Sequence, residues 1–365
     1  MFDSVFRNKT VFVTGHTGFQ GSWLSLWLHL LGAKVVGYSL DPPTKPSLFN
    51  ALHLEEQINH IIGDIRDAKH FHESLIKSKP KFVFHLAAQP LVLMSYNNPK
   101  DTFSTNIMGT VNLLESIKKL TNLKACIVYT SDKCYANKGS MYAYKETDAL
   151  GGNDPYSASK AAVELVTNAY RNSYFNMNEQ DFGLGTARAG NVIGGGDWAK
   201  DRLIPDCVRA IISNKLIKIR NPNAVRPWQF VLEPLSGILC LATKMSKDIK
   251  KYSSAWNFGP NIVNNNMKVK KIVEKIIKNW HGKWADYSDK STNKKLEESY
   301  LSIDSSKAKS LLHWTNNYSI DETINETIKW YKEFYRNKSR IKNFTIKQID
   351  NYVRKAKDNN QWWIN

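Results

Sequence analysis

Lys9-Thr-Val-Phe-Val-Thr-Gly-His-Thr-Gly-Phe-Gln-Gly21 carries more structural information than any other segment of this chain. Thr10 to Thr14 is a run of β-branched and aromatic residues of the kind that makes a buried strand. It breaks at Gly15, and Gly18 and Gly21 follow at three-residue spacing. Ser22 to Leu31 then reads as a helix, which Gly32 ends. Strand, glycine turn and helix make the opening unit of a dinucleotide-binding fold. Glycine permits the tight turn, the approach of backbone to a pyrophosphate and the packing of helix on strand. The helix N-terminus offers unpaired N–H groups and the positive end of its dipole. Glycines also serve ordinary turns, so the weight of the motif comes from its place between a strand and a helix.

The 365 residues are 42% hydrophobic and 23% charged, enough for one large or two modest domains around a core. The net charge of +18 raises the question of nucleic acid. The lysines are dispersed and rise toward the C-terminal third, so solvated faces and an anionic small-molecule substrate are expected, and no nucleic-acid partner. Cys126, Cys134, Cys207 and Cys240 show neither CxxC nor metal-ligand spacing; they suit a reducing compartment, and no metal is expected. The first strand leaves no room for a secretory signal, and Ser22 to Leu31 is too short to span a bilayer. A cytoplasmic protein without a membrane partner is therefore expected.

The strand–helix rhythm continues downstream. Ala33 to Leu40 reads as a second strand. The position that often carries a ribose-binding acid holds Ser39, with Asp41 just beyond, which leaves NAD and NADP both open. Asp41 to Pro46 is expected to be a rigid loop. Ile61 to Asp67 reads as a strand ending at Asp64 and Ile65; such an acid commonly meets adenine and equally suits a helix N-cap. Lys81 to Gln89 is a fourth strand running into the small residues Ala87 and Ala88. Thr102 to Lys119 is an amphipathic helix. Lys124 to Tyr129 delivers Thr130-Ser-Asp-Lys-Cys-Tyr135 to its C-terminal end, where open parallel sheets collect their chemistry. Asp154-Pro-Tyr-Ser-Ala-Ser-Lys160 opens a helix running to about Phe175, with Tyr156 and Lys160 on one face. Phe182 to Arg188 is a sixth strand, Asp201 to Asp206 opens a helix, and Arg226-Pro-Trp-Gln229 stands in a proline-marked loop. Asn257-Phe-Gly-Pro260 is a late strand end, and Lys268 to Trp280 and Asp321 to Tyr335 are amphipathic helices. The fold class is α/β, a Rossmann-type doubly wound parallel sheet with a smaller C-terminal substrate-binding lobe. Residues 1–190, with a return at about 225–260, are assigned to dinucleotide binding, and 191–340 mainly to the lobe and C-terminal helices. Residues 341–365 read as a polar basic tail with one possible helix, Ile346 to Lys355.

Seven phrases together are similar to the extended short-chain dehydrogenase/reductase superfamily, and within it to the CDP-glucose 4,6-dehydratases. They are Val13-Thr-Gly-His-Thr-Gly-Phe-Gln-Gly-Ser-Trp23, His85-Leu-Ala-Ala-Gln-Pro-Leu91, Thr130 to Tyr135, Asp154 to Lys160, Arg188-Ala-Gly-Asn-Val-Ile-Gly-Gly-Gly-Asp-Trp198, Asp201-Arg-Leu-Ile-Pro-Asp206 and Arg226 to Gln229. The first and fourth are superfamily-wide. The Ser-Asp-Lys triplet, the Gly-Gly-Gly-Asp-Trp run and Arg-Pro-Trp-Gln are more selective, and dTDP-glucose dehydratases carry Asp-Glu in place of Asp132-Lys133. The chain departs from the family at Gln20, Leu93 and Phe230, where lysine, arginine and histidine are usual.

The resemblance implies a tightly held NAD, regenerated in each turnover. Its implied contacts are Gly15, Thr17, Gly18, Phe19, Gln20, Gly21, Ser39, Asp64, Ile65, Leu86, Ala87, Ala88, Asn106, Tyr156 and Lys160. It also implies the substrate CDP-glucose, held by Gln89, Ser131, Asn191, Arg202 and Arg226, and a catalytic set of Ser131, Asp132, Lys133, Tyr156 and Lys160. Tyr156 takes the proton from the hydroxyl on sugar carbon 4. A free tyrosine has a pKa near ~10, and the Lys160 cation favours the phenolate. Ser131 positions the hydroxyl. Once carbon 4 is a ketone, the proton on carbon 5 is acidic. Asp132 then serves as acid at the carbon 6 hydroxyl, and Lys133 as base in its neutral form or as a stabiliser of enolate charge. A nucleotide-sugar 4-epimerase would share the glycine turn, Ser131, Tyr156 and Lys160 but has no use for Asp132-Lys133. A catalytically silent NAD-binding regulator would be favoured by loss of any of those three residues. By fold analogy, Thr102–Lys119 and Ser157–Phe175 are the expected contact surface of a homodimer or homotetramer. Bacterial surface polysaccharide is the expected destination of the product.

Overall fold

A computed structural model describes residues 1–139, 141–175, 182–260, 266–288 and 299–365. Seven strands form one sheet: β1 (Thr10–Thr14), β2 (Lys34–Ser39), β3 (Asn59–Ile62), β4 (Phe82–His85), β5 (Ala125–Tyr129), β6 (Gly183–Ala189) and β7 (Ala255–Phe258). Their order is β7-β6-β5-β4-β1-β2-β3, and every neighbouring pair is parallel. A parallel sheet is covered on both faces, and so its inner strands read as unbroken apolar runs. On one face Trp23 and Trp27 join Phe82, Phe84 and the helix Leu232–Met245; on the other, Phe12, Tyr38, Phe71 and Leu113 close the core. Because the order reverses between β1 and β4, their C-terminal ends part around a crevice, the usual ligand position in such sheets.

Several elements correct the sequence reading. The first helix begins at Phe19 rather than Ser22, since Gly18 is extended (φ −77°, ψ 171°) and serves as N-cap. β3 stops at Ile62, so Asp64 lies in the following loop, and the next helix is capped by Asp67, whose carboxylate accepts the His70 N–H. Arg226 to Gln229 is not a loop. Val225–Pro227 pairs with Asn266–Lys268, and Gln229–Phe230 pairs with Val192–Ile193. Pro227 is tolerated because a two-stranded ribbon consists only of edges. The segment expected to be a basic tail does hold the helix expected at Ile346 to Lys355, but that helix is longer at both ends and packed. Ile341–Asp358 is one helix with Ile341, Thr345, Ile349, Tyr352 and Ala356 buried. Beyond it, the fully buried Trp363 ring stacks on Phe2 with centroids 4.8 Å apart. The composition of this segment averages a charged outer face with an inner stripe at helical spacing, and that average hid the full length of the stripe. Among the described residues no helix is long and apolar enough to cross a membrane.

Candidate active site

The glycine turn sits at the end of β1. Gly15 has φ +74°, and a Cβ there would lie 2.7 Å from the Ala87 nitrogen. A Cβ on Gly21 would lie 2.1 Å from the Gly15 carbonyl oxygen, so helix and turn meet at a distance only glycine allows. No side chain caps the helix, which leaves its first N–H groups for an anion. This cradle fits the pyrophosphate of a dinucleotide. Thr17 donates to the Leu40 carbonyl (2.9 Å) and lies 2.8 Å from the Ser39 hydroxyl, tying the turn to the end of β2. His16 is buried beside His60 (2.7 Å), and burial holds its pKa down at about 3.

Three residues expected to meet ligand have their side chains occupied elsewhere. Asp64 is gripped by Arg66, which also holds Asp101; the Arg66 hydrogen bond keeps the Asp64 carboxyl below its usual range. Gln89 is buried, donating to Thr102 Oγ1 (2.9 Å) and accepting the Leu91 N–H. Asn106 accepts the Gln89 N–H (2.8 Å) and donates to Ser159 (2.8 Å). Gln89 and Asn106 therefore shape the loop after β4 and do not line the cleft. Ile65 lies under Gly109, where a Cβ would meet its Cδ1 at 2.4 Å.

The ends of β4, β5 and β6 open into a cleft of about 360 Å³. It brings together Ser131, Asp132, Lys133, Tyr156, Lys160, Asn191, Arg202 and Arg226, with Gln20, Leu86, Ala88 and Leu93 on its wall. Pro155–Tyr170 forms the helix that carries Tyr156 and Lys160, capped by Asp154 through the Ser157 N–H. The Lys160 ammonium lies 6.0 Å from the Tyr156 ring centre and 3.5 Å from the Tyr129 carbonyl. Burial pulls its pKa down to about 8, against the opposing charge of Glu164. Burial pushes the Tyr156 phenol up to about 12, while the neighbouring Ser131 hydroxyl and the Arg202 charge act to lower it. The Ser131 hydroxyl donates to Asp132 Oδ1 (3.1 Å) and accepts the Lys133 N–H (3.2 Å). Asp132 is buried and Lys133 half-buried. The arrangement places Tyr156 with Lys160, and Asp132 with Lys133, around a shared space.

Several contributors escaped the sequence reading. Gly190 forms the floor under Asp132: a Cβ there would sit 1.7 Å from Asp132 Oδ2. Asp197 pairs with Arg202 (2.9 Å) and so orients that cation. The turn carrying Asp197 is braced from both sides. Trp23 donates to the Gly195 carbonyl (2.9 Å), a Cβ on Gly195 would lie 2.0 Å from the Trp330 ring, and the Tyr331 hydroxyl accepts the Asp197 N–H. Arg220 adds a further cation to the cleft, 3.4 Å from Asp201. Glu164, four residues past Lys160 on the same helix face, forms a buried pair with Arg188 (2.8 Å). Its spacing was visible in the sequence; its partner was not.

Residues 12–327 match the family described as GDP-mannose 4,6 dehydratase. The chain is 49% identical over 340 residues to the CDP-glucose 4,6-dehydratase of Salmonella typhimurium, covering 92% of this chain and 94% of the relative. It is 27% identical to a dTDP-glucose 4,6-dehydratase of Xanthomonas campestris, covering 88% of this chain and 93% of that one. The Bacillus anthracis dTDP-glucose 4,6-dehydratase, solved in complex with NAD, superposes with a TM-score of 0.73 at 22% identity, covering 92% of this chain and 99% of that one. A UDP-glucose 4-epimerase of Thermotoga maritima does so at 0.74 and 20%, covering 89% and 99%. Dehydratases and epimerases thus share this fold.

Proposed function

The chain belongs to the GDP-mannose 4,6 dehydratase family, and from that premise we propose that it converts CDP-D-glucose to CDP-4-dehydro-6-deoxy-D-glucose. The observation that carries the reading is the meeting of Asp132 and Lys133 with Tyr156 and Lys160 in one cleft. Oxidation at carbon 4 needs only the second pair, whereas loss of water across carbons 5 and 6 needs both. The glycine cradle of residues 15–21 would hold NAD, with Lys160 toward the nicotinamide ribose. When bound, NAD supplies a two-electron acceptor that becomes the donor later in the same turnover and ends as it began.

The protein's own groups move the protons. Tyr156 accepts the proton of the carbon 4 hydroxyl, its phenolate favoured by the Lys160 cation, while Ser131 keeps that hydroxyl in line. Lys133 draws the proton from carbon 5, Asp132 protonates the departing carbon 6 oxygen so that it leaves as water, and Lys133 gives its proton back to carbon 5 when hydride returns to carbon 6. Arg202, held by Asp197, and Arg226 face the diphosphate. Exposed Phe103, Met108 and Leu165, on the helices expected to pair, support a homodimer. The cytoplasm, where nucleotide sugars are made, is the location this chemistry suits.

The test is incubation with CDP-glucose and a catalytic amount of NAD, read by product mass. Loss of one water with no net NADH is the expected result. An unchanged mass with a CDP-galactose product would make the protein an epimerase. Bound cofactor without turnover of any nucleotide hexose would make it a silent regulator.

A further inference from the structure

Beneath the catalytic helix lies a buried ion pair that the reaction above does not use. Glu164 accepts from Arg188 Nη2 (2.8 Å), Thr186 Oγ1 (2.7 Å) and Thr130 Oγ1 (2.5 Å). The side chains of Glu164 and Arg188 are 2% and 4% exposed. Arg188 Nη1 donates to the Tyr135 hydroxyl (2.8 Å), and the guanidinium lies over the Tyr135 ring, 5.0 Å from its centre. The Tyr135 hydroxyl in turn donates to Asn257 Oδ1 on β7 (2.7 Å).

Thr130 and Tyr135 bracket the turn that carries Ser131, Asp132 and Lys133. One ion pair therefore grips the turn at both ends. Arg188 also stands two residues before Gly190, the floor under the Asp132 carboxylate. A buried ion pair is a poor source of stability, because desolvation offsets the attraction. Its value here is geometric. We propose that Glu164 and Arg188 are positioning residues for the elimination half of the reaction, clamping residues 130–135 so that Asp132 and Lys133 stand against carbons 5 and 6. The proposal rests on the dehydratase reading. Loosening the Tyr135 end of the clamp slows loss of water more than oxidation at carbon 4, because Ser131 stays held through Thr130 and Glu164 and Tyr156 is separately anchored through its N–H to Ser95 (3.1 Å).

The test uses the full chain carrying Tyr135→Phe, which removes one hydroxyl and leaves Glu164 and Arg188 paired, and in parallel Glu164→Gln. The first readout needs no substrate: amide hydrogen exchange over residues 130–136 should rise about tenfold in both variants, with exchange in β1 and β2 unchanged. The second is stopped-flow of the Tyr135→Phe variant with CDP-glucose, because Glu164→Gln would also remove a charge that keeps Lys160 protonated. There the reduced-nicotinamide absorbance should build up before product appears, with kcat lowered about tenfold and KM unchanged. Unchanged exchange over 130–136 in both variants would overturn the clamp, as would a fall in kcat with no build-up of reduced cofactor. If the unaltered chain fails to dehydrate CDP-glucose, the dehydratase reading falls, and the exchange result still decides whether the pair holds the turn.

Discussion

Replacing Gly190 with alanine isolates the placement of a single carboxylate. The new Cβ would stand 1.7 Å from Asp132 Oδ2 and 2.3 Å from Cγ, where ordinary contact begins at 3.4 Å. The carboxylate must therefore retreat by at least about 1.7 Å, by rotation about the Cα–Cβ bond, since the nearest atoms are all of the carboxyl group. A misplacement of ~1 Å costs about a hundredfold in rate, or roughly 2.7 kcal/mol of barrier. Gly190→Ala should thus fold, bind CDP-glucose with little change in KM, and lose water about a hundredfold more slowly. The assay follows 4-keto sugar by its absorbance in alkali alongside the absorbance of reduced nicotinamide. Oxidation at carbon 4 should persist, so the cofactor should rest in its reduced form. A kcat within about threefold of the parent would show that Asp132 is not the acid, because nothing else lies so close to that Cβ.

The remaining predictions concern pH and packing. Lys160 supports the Tyr156 phenolate only while charged, so kcat/KM should fall above about pH 8, and no alkaline limb below pH 10 would refute its role. His16 and His85 are held neutral by burial, each with a folded pKa of about 3 against 6.5 unfolded. The folded state then binds fewer protons than the unfolded one, so their contribution to stability is complete above pH 6.5 and is lost as pH falls toward 3. Urea titrations at several pH values should show this dependence reduced by about one proton in His85→Asn, and an identical slope would contradict it. Trp363→Ala should cost about 3–5 kcal/mol by opening a cavity against Phe2 and Trp27, seen as a lower urea midpoint; an unmoved midpoint would return the C-terminal segment to the status of a solvated tail.

What was legible in the sequence was what local spacing encodes. Gly15, Gly18 and Gly21 span one turn and the helix start after it, and Tyr156 and Lys160 share one helix face, so seven residues of context suffice for either. The partners of these groups come from elsewhere. Arg188 reaches Glu164 only because β6 lies beside β5 under the catalytic helix, a pairing no short window contains. Gln89 shows another side of the same limit. The resemblance implies a substrate contact there, whereas its amide bonds Thr102 and Leu91 within the protein. In segment 341–365 the helix was legible but its full length and packing were not, because abundant lysine and asparagine lower mean hydropathy without erasing the buried stripe.

The bracing of Asp197 bears on how such enzymes could be recombined. Its turn is pinned by Trp23 from the first helix and by Trp330 and Tyr331 from a helix some three hundred residues later. A cofactor half and a substrate half are therefore not interchangeable cassettes. A chimera joined near residue 190 would bring a foreign turn to a native Trp23, and the arginine that this turn steers would point by accident. Altering nucleotide preference by exchanging lobes should work only when both aromatic braces travel together with the loop they hold.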